Sequence, residues 1–187
     1  VPLIHNVMNT DFVVAVSDQA TNHLNMLFNT KTGQQYLTAN KGLDSKFVHR
    51  LPEFGFSSIA NILASIKLAK YMKLGPEDAI ITVATDGADL YLTELEKIKD
   101  EFIGSYDVTA CAEIYGQYMK AITTDNMIEL NQRDKERIFN LGYYTWVEQQ
   151  GIDLKDFEAR RKQSFWDGHL KKILTLDKKI DQFNTAS

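Results

Sequence analysis

The run Ile80-Ile81-Thr82-Val83-Ala84 constrains this chain more than any other stretch. It is apolar at every position but one, and it lies between Gly75-Pro76 and Gly87. Between such stops it is too short for a helix, and its composition suits a strand covered on both faces. A strand of that kind calls for a parallel sheet with helices on either side. The preceding residues agree. Ile59, Ile62, Leu63, Ile66 and Ala69 recur at helical spacing, with Lys67, Lys70 and Lys73 assigned to the solvated side. Ser57 or Ser58 is expected to cap this helix, and Gly75 followed by Pro76 to stop it.

Upstream, Asp11 to Val16 reads as a short strand, and Ser17 stands where a helix cap would stand. Ala20, Leu24, Leu27 and Phe28 then share one helix face. A second short helix is expected from Thr30 to Leu37, then a polar loop over 38–52 with a helical turn near Ser45–His49. Strand, helices and strand in this order give α/β as the fold class: part of a mainly parallel sheet flanked by helices. Downstream of Gly87 a helix is expected from Leu92 to Ile103, burying Leu92, Leu95, Ile98 and Phe102. Two further stripes, Ala110-Ile114-Tyr118-Ile122 and Ile138-Leu141-Tyr144-Trp146, and a lysine-rich amphipathic end predict a helical C-terminal extension. The expected organisation is an α/β portion over residues 1–105 and a helical extension over 106–187.

Composition narrows the function classes. The chain has 187 residues and a formal net charge of −4, with no basic block, which argues against a nucleic-acid partner. No apolar run approaches the roughly 20 residues of a membrane span. Val1 to His5 has neither the basic nor the apolar region of a signal peptide and reads as a chain entered midway. Cys111 is the one cysteine, so no internal disulfide forms, and a reducing, cytoplasmic setting is expected. In its helical pattern it reads as a small buried apolar residue rather than a nucleophile. The four histidines are scattered and show no metal-ligand spacing, so no metal is expected. Neither glycine-rich phosphate motif occurs, and no G-x-S-x-G surrounds Ser57-Ser58. What remains is Thr85-Asp86-Gly87, a hydroxyl and a carboxylate directly after the apolar run. It reads either as an ordinary turn or as part of a site.

Two segments resemble a known family. Gly55-Phe56-Ser57-Ser58-Ile59-Ala60, followed by a helix and then Ile80 to Gly87 and Tyr91-Leu92, resembles the C-terminal half of fold type II pyridoxal-phosphate enzymes, the tryptophan synthase β superfamily. The pattern of cysteine synthase within it is G-I-S-S-G-A, a helix, then V-V-I-L-P-S-S-G-E-R-Y-L. Thr10 to Ala20 is similar to the strand and helix that come before this turn. The resemblance covers about residues 5–103, and the whole chain, including Arg137 to Gly151, is similar to a longer cysteine-synthase-like branch of the family.

The resemblance implies a lyase or β-replacement enzyme acting on a small amino acid of the cysteine, serine or O-acetylserine type. The enzyme would be a cytoplasmic homodimer with pyridoxal 5'-phosphate as cofactor. It implies that Thr85 or Asp86 meets the pyridine nitrogen, and that Gly55, Ser57 and Ser58 line the substrate pocket. The Schiff-base lysine and phosphate loop of the family lie in an N-terminal half, so no catalytic residue is expected in this chain. Asp86 stands where the family has a serine, and Ile59 replaces its glycine. The competing reading is a non-catalytic ligand-binding or regulatory domain that reuses the fold for subunit interaction. A hydrolase-like domain has least support, for want of a nucleophile elbow.

Overall fold

Ile80–Ala84 joins no sheet. The computed structural model describes residues 5–99, 101–102 and 106–185. Among these, one sheet is present, made of β1 (Phe12–Val14) and β2 (Met127–Glu129). Ala15 N–H donates to the Asn126 carbonyl at 3.0 Å and Leu130 N–H to the Asp11 carbonyl at 2.7 Å. One strand's numbers climb as the other's fall, so the pair is antiparallel. The mainly parallel sheet flanked by helices is therefore corrected to a largely helical fold. The physical reason is the backbone: an apolar β-branched run becomes a strand only where a neighbour pairs its amides and carbonyls. Here β1 is taken by β2. Met127-Ile128-Glu129 was too short, after polar Thr123–Asn126, to announce itself.

Contacts divide the chain into two units, residues 14–127 and residues 1–13 with 128–187. In the first, α1 (Asp18–Asn29), α2 (Lys31–Ala39), α3 (Ser45–Val48), α4 (Phe56–Met72), α5 (Leu92–Lys99) and α6 (Val108–Tyr115) follow in order. Leu24 and Leu27 of α1, Leu37 of α2, Val48 of α3, Ile59 and Leu63 of α4, and Cys111 and Ile114 of α6 form one core. Met26 turns the other way, onto Leu95 and Ile98 of α5. Ser17 is the N-cap of α1, as expected, but its side chain makes no capping bond. Thr30, Asp44 and Asp107 do cap α2, α3 and α6 through side-chain oxygens. Gly33 lets α2 approach α1, since a Cβ there would sit 2.1 Å from the Leu27 carbonyl oxygen.

Four expectations for α4 and α5 need correction. The N-cap of α4 is Gly55, and Ser57 and Ser58 lie inside the first turn. The helix ends on Lys73 in the left-handed region (φ 54°), two residues before Gly75. Lys67, assigned to the solvated side, is buried at 9% exposure, in line with Ile59 and Leu63 at steps of four. In α5, Leu95 and Ile98 are buried while Leu92 is exposed, and the expected last residue, Ile103, lies outside the described residues.

The second unit contains α7 (Gln132–Tyr143), continued by a π-helical turn over Tyr144–Gln149, then α8 (Leu154–Ala159), α9 (Gln163–Leu170) and α10 (Ile173–Thr185). Its core is Val7, Phe139 and Phe157, with Ile138, Tyr143 and Trp146 against it. The expected stripe is out of register, because Leu141 and Tyr144 are exposed and Phe139 takes the buried place. Arg160 is the unusual member. It is 8% exposed, its guanidinium lies 5.1–5.5 Å from the rings of Trp146, Phe157 and Phe139, and Nε and Nη1 have no hydrogen-bond partner. Burial lowers its pKa. Cation–π attraction offsets only part of the desolvation of a charge held this way. Arg160→Met keeps the contact area and removes the unpaired charge, so urea unfolding should show it neutral or more stable. Arg160→Ala opens a cavity and should lose about 2–4 kcal/mol.

Candidate functional site

Three tethers bind the segment before Gly87 to the first half of α4. Gly55 N–H donates to the Asp86 carbonyl at 2.9 Å. Thr85 N–H donates to Ser58 Oγ at 2.8 Å, and the Ser58 and Thr85 hydroxyls share a second bond at 3.0 Å. Asn61 Nδ2 donates to the Val83 carbonyl at 2.9 Å. Going from residue 55 to 61 climbs about 9 Å along a helix. Going from 86 back to 83 covers about 10 Å of extended chain. The distances match, so 83–86 runs extended along α4 in the opposite direction. It has strand geometry without a sheet.

Gly55 is required by this arrangement, because a Cβ would meet the Asp86 carbonyl oxygen at 2.4 Å and the Tyr91 ring at 3.0 Å. Tyr91 also packs edge-on against Phe56, with ring centroids 4.9 Å apart. Gly55, Ser58, Thr85 and Asp86 are thus brought together. Ser58 is buried, whereas Ser57, Thr85 and Asp86 are exposed. Ser57 shares the turn but takes no part in the tethers. Asn61 and Tyr91 were missed by sequence reasoning. Asn61 stands one helical turn beyond Ser58, which was the available signal.

The chemistry of the paired hydroxyls follows from the bond directions. Ser58 Oγ already accepts the Thr85 amide, and it can pass its own proton to Thr85 Oγ1. The Thr85 hydroxyl then has a proton to donate outward. The next residue, Asp86, is exposed, and its carboxylate only accepts when ionised. This pair matches what a pyridine nitrogen takes, a donor to the neutral ring or an acceptor from the protonated one, so the donor set fits the ring-nitrogen end of pyridoxal phosphate.

The amine end is not matched here. None of the hydrogen bonds or ion pairs of the described lysines reaches Gly55, Ser57, Ser58, Thr85 or Asp86. Lys67 is two and a half turns further along α4, about 13 Å in rise. Its Nζ donates to the Ala15 carbonyl at 2.9 Å and lies 3.9 Å from Asp125. There it lines an open pocket of about 400 Å³ with Ser17, Leu63, Ile122, Thr123 and Asp125. Lys70 is also spoken for, donating to the Ile122 carbonyl at 2.6 Å.

The remaining candidates have structural surroundings. Cys111 is buried in the first unit's core, where burial pushes its thiol pKa up and leaves it a poor nucleophile. His23 sits between the rings of Phe102 and Tyr118, 3.5 Å from Glu101. Among the described residues no three His, Cys, Asp or Glu side chains gather as metal ligands would.

No family model, curated protein or solved structure matches this chain. The family resemblance therefore rests on the motifs themselves.

The tether at Ser58 can be tested directly. Ser58→Ala removes both bonds to Thr85 and should cost about 1–3 kcal/mol. Amide exchange at Thr85 should then speed up by about tenfold, with Leu24 in the core unchanged. Equal protection of Thr85 in both proteins would show that the segment is held without Ser58.

Proposed function

We propose that this chain supplies one wall of a pyridoxal-phosphate site. It would be the C-terminal portion of a lyase or β-replacement enzyme acting on a small amino acid of the cysteine, serine or O-acetylserine type. The observation that carries this reading is the Ser58–Thr85 pair, which holds a hydroxyl at the start of α4, next in sequence to the exposed Asp86. When bound, the cofactor supplies the electron sink that makes removal of an α-proton feasible. Thr85 would donate to its ring nitrogen and leave it neutral. Asp86 would hold that nitrogen protonated and deepen the sink. Gly55 and Ser57 would shape the substrate side of the wall. The base that takes the α-proton comes from the N-terminal half of the enzyme, so this chain alone turns nothing over. The complete enzyme is proposed as a cytoplasmic homodimer.

The test is the absorbance spectrum of the chain with pyridoxal phosphate, alone and coexpressed with the polypeptide encoded directly upstream. The expected result is no visible band from lysine-bound cofactor with the chain alone, and such a band in the pair. In the pair, Asp86→Asn should shift that band if Asp86 meets the nitrogen, and Thr85→Val should do so if Thr85 does. A visible band from the chain alone, or no binding by the pair, overturns the proposal.

The second reading, a subunit-interaction domain without catalysis, draws on the same segment. Among the described residues no backbone amide or carbonyl pairs with those of Ile80–Ala84, and Ile81 is 97% and Val83 67% exposed. Such an edge accepts a strand from another polypeptide. Ile81→Asp should leave the urea midpoint of the chain unchanged and abolish its coelution with the upstream polypeptide. Coelution without any cofactor band would favour this second reading over the first.

A further inference from the structure

The first unit's core has a hollow that close packing does not explain. A cavity of 390 Å³ lies among Leu24, Leu37, Phe47, Ile62, Tyr115 and Met119, and the Tyr115 hydroxyl is the one polar side-chain group on its walls. Interiors of domains this size pack with few voids larger than a water molecule. Water gains little in a cavity without polar partners. The volume falls in the range of small-molecule pockets. Phe47, 54% exposed, opens one wall to solvent, so a ligand has a way in.

One charged group lies against a wall residue, Tyr115. Lys41 Nζ stands 4.5 Å from the centroid of the Tyr115 ring and 5.1 Å from that of Tyr36. No carboxylate among the described residues pairs with it, and Lys46 follows on the α3 turn that carries Phe47. Asp44, the acidic neighbour, is engaged with the Lys46 and Phe47 amides as the α3 cap. An apolar cavity with an unpaired ammonium on a wall residue suits an apolar body ending in an anion. At roughly 30 Å³ per non-hydrogen atom, the liquid-like share, the cavity takes about a dozen such atoms.

We propose that this cavity binds a medium-chain aliphatic monocarboxylate, with the chain between α1, α2, α4 and α6 and the carboxylate at Lys41. This site is separate from Thr85 and Asp86. Its residues come from α1, α2, α3, α4 and α6, the segments between them and the π-helical turn after α6 (Gly116–Lys120), and none belongs to the segment 80–87.

The test is displacement of 1-anilinonaphthalene-8-sulfonate from the full-length chain by decanoate and by decanol at low salt. Both should displace the probe, decanoate several-fold more tightly. Lys41→Glu should erase that preference while leaving decanol unchanged. Ile62→Trp should fill the cavity and prevent both from binding, with its urea midpoint showing that it folds. Met119→Trp, at a half-buried wall position, serves if Ile62→Trp does not fold. No binding of either ligand by the wild-type chain overturns the proposal. So does unchanged binding in a folded cavity-filling variant, or a carboxylate preference that survives Lys41→Glu.

Discussion

The rule that a backbone amide needs an acceptor or water decides the character of this molecule. Between Ala79 and Asp86 the chain has the composition of a buried strand and finds no strand to pair with. It settles along α4 instead, held by side-chain and main-chain groups of Gly55, Ser58 and Asn61. Each tether falls three residues along the helix from the last, the spacing that brings side chains to one face. An extended chain advances about one residue for every two of helix, so three tethers suffice to hold it in register. Gly55 makes the first of them possible by leaving room for the Asp86 carbonyl.

That same rule separates what could be read from the sequence and what could not. Helices whose stripe is local were legible: Leu24 and Leu27 are buried as their spacing demands, and the turn at Ser45 forms under the Asp44 cap. Whether Ile80–Ala84 joins a sheet depends on a partner elsewhere, and local composition is blind to that. The α4 cap was misplaced because Ser57 and Ser58 are good caps by residue type. Gly55 instead enters the helix with extended backbone, and Ser58 is committed to Thr85. In the second unit a slip of one or two positions moved Phe139 inward and left Leu141 and Tyr144 in solvent. The π-helical turn after Tyr143 departs from the 3.6-residue period on which that stripe was counted.

Lys67 shows how a charge pattern misleads when it is read without geometry. Three lysines at steps of three look like one solvated face, but Lys67 also continues the Ile59–Leu63 row at steps of four. The long aliphatic stem is compatible with that row, and the ammonium emerges at the Ala15 carbonyl beside Asp125. It closes the far half of α4 against the segment before α1, while Ser58 and Asn61 hold the near half against residues 83–86. The site residues proposed from motif alone were brought together because Ser58 and Thr85 bond directly. That contact spans 27 positions in sequence and no local pattern announces it.

α4 itself explains why both features coexist. Ile59, Ile62, Leu63, Ile66 and Ala69 lie within an arc of about 120° of the helix, and Leu68 lies opposite them. Its inner side faces the core of the first unit, where Ile59, Ile62 and Leu63 also line the apolar cavity. The face of its N-terminal half that carries Ser58 and Asn61 meets the extended segment, whose own residues Ile81 and Val83 stay in water. An apolar helix and an apolar strand that cover each other incompletely leave hydrophobic area exposed, at about 25 cal/mol for each Å². A second polypeptide laid against Ile80–Ala84 would bury that area and satisfy the open backbone in one step. For this reason the exposed run, rather than the turn chemistry alone, is what the proposed wall at Thr85 and Asp86 would present to a second polypeptide.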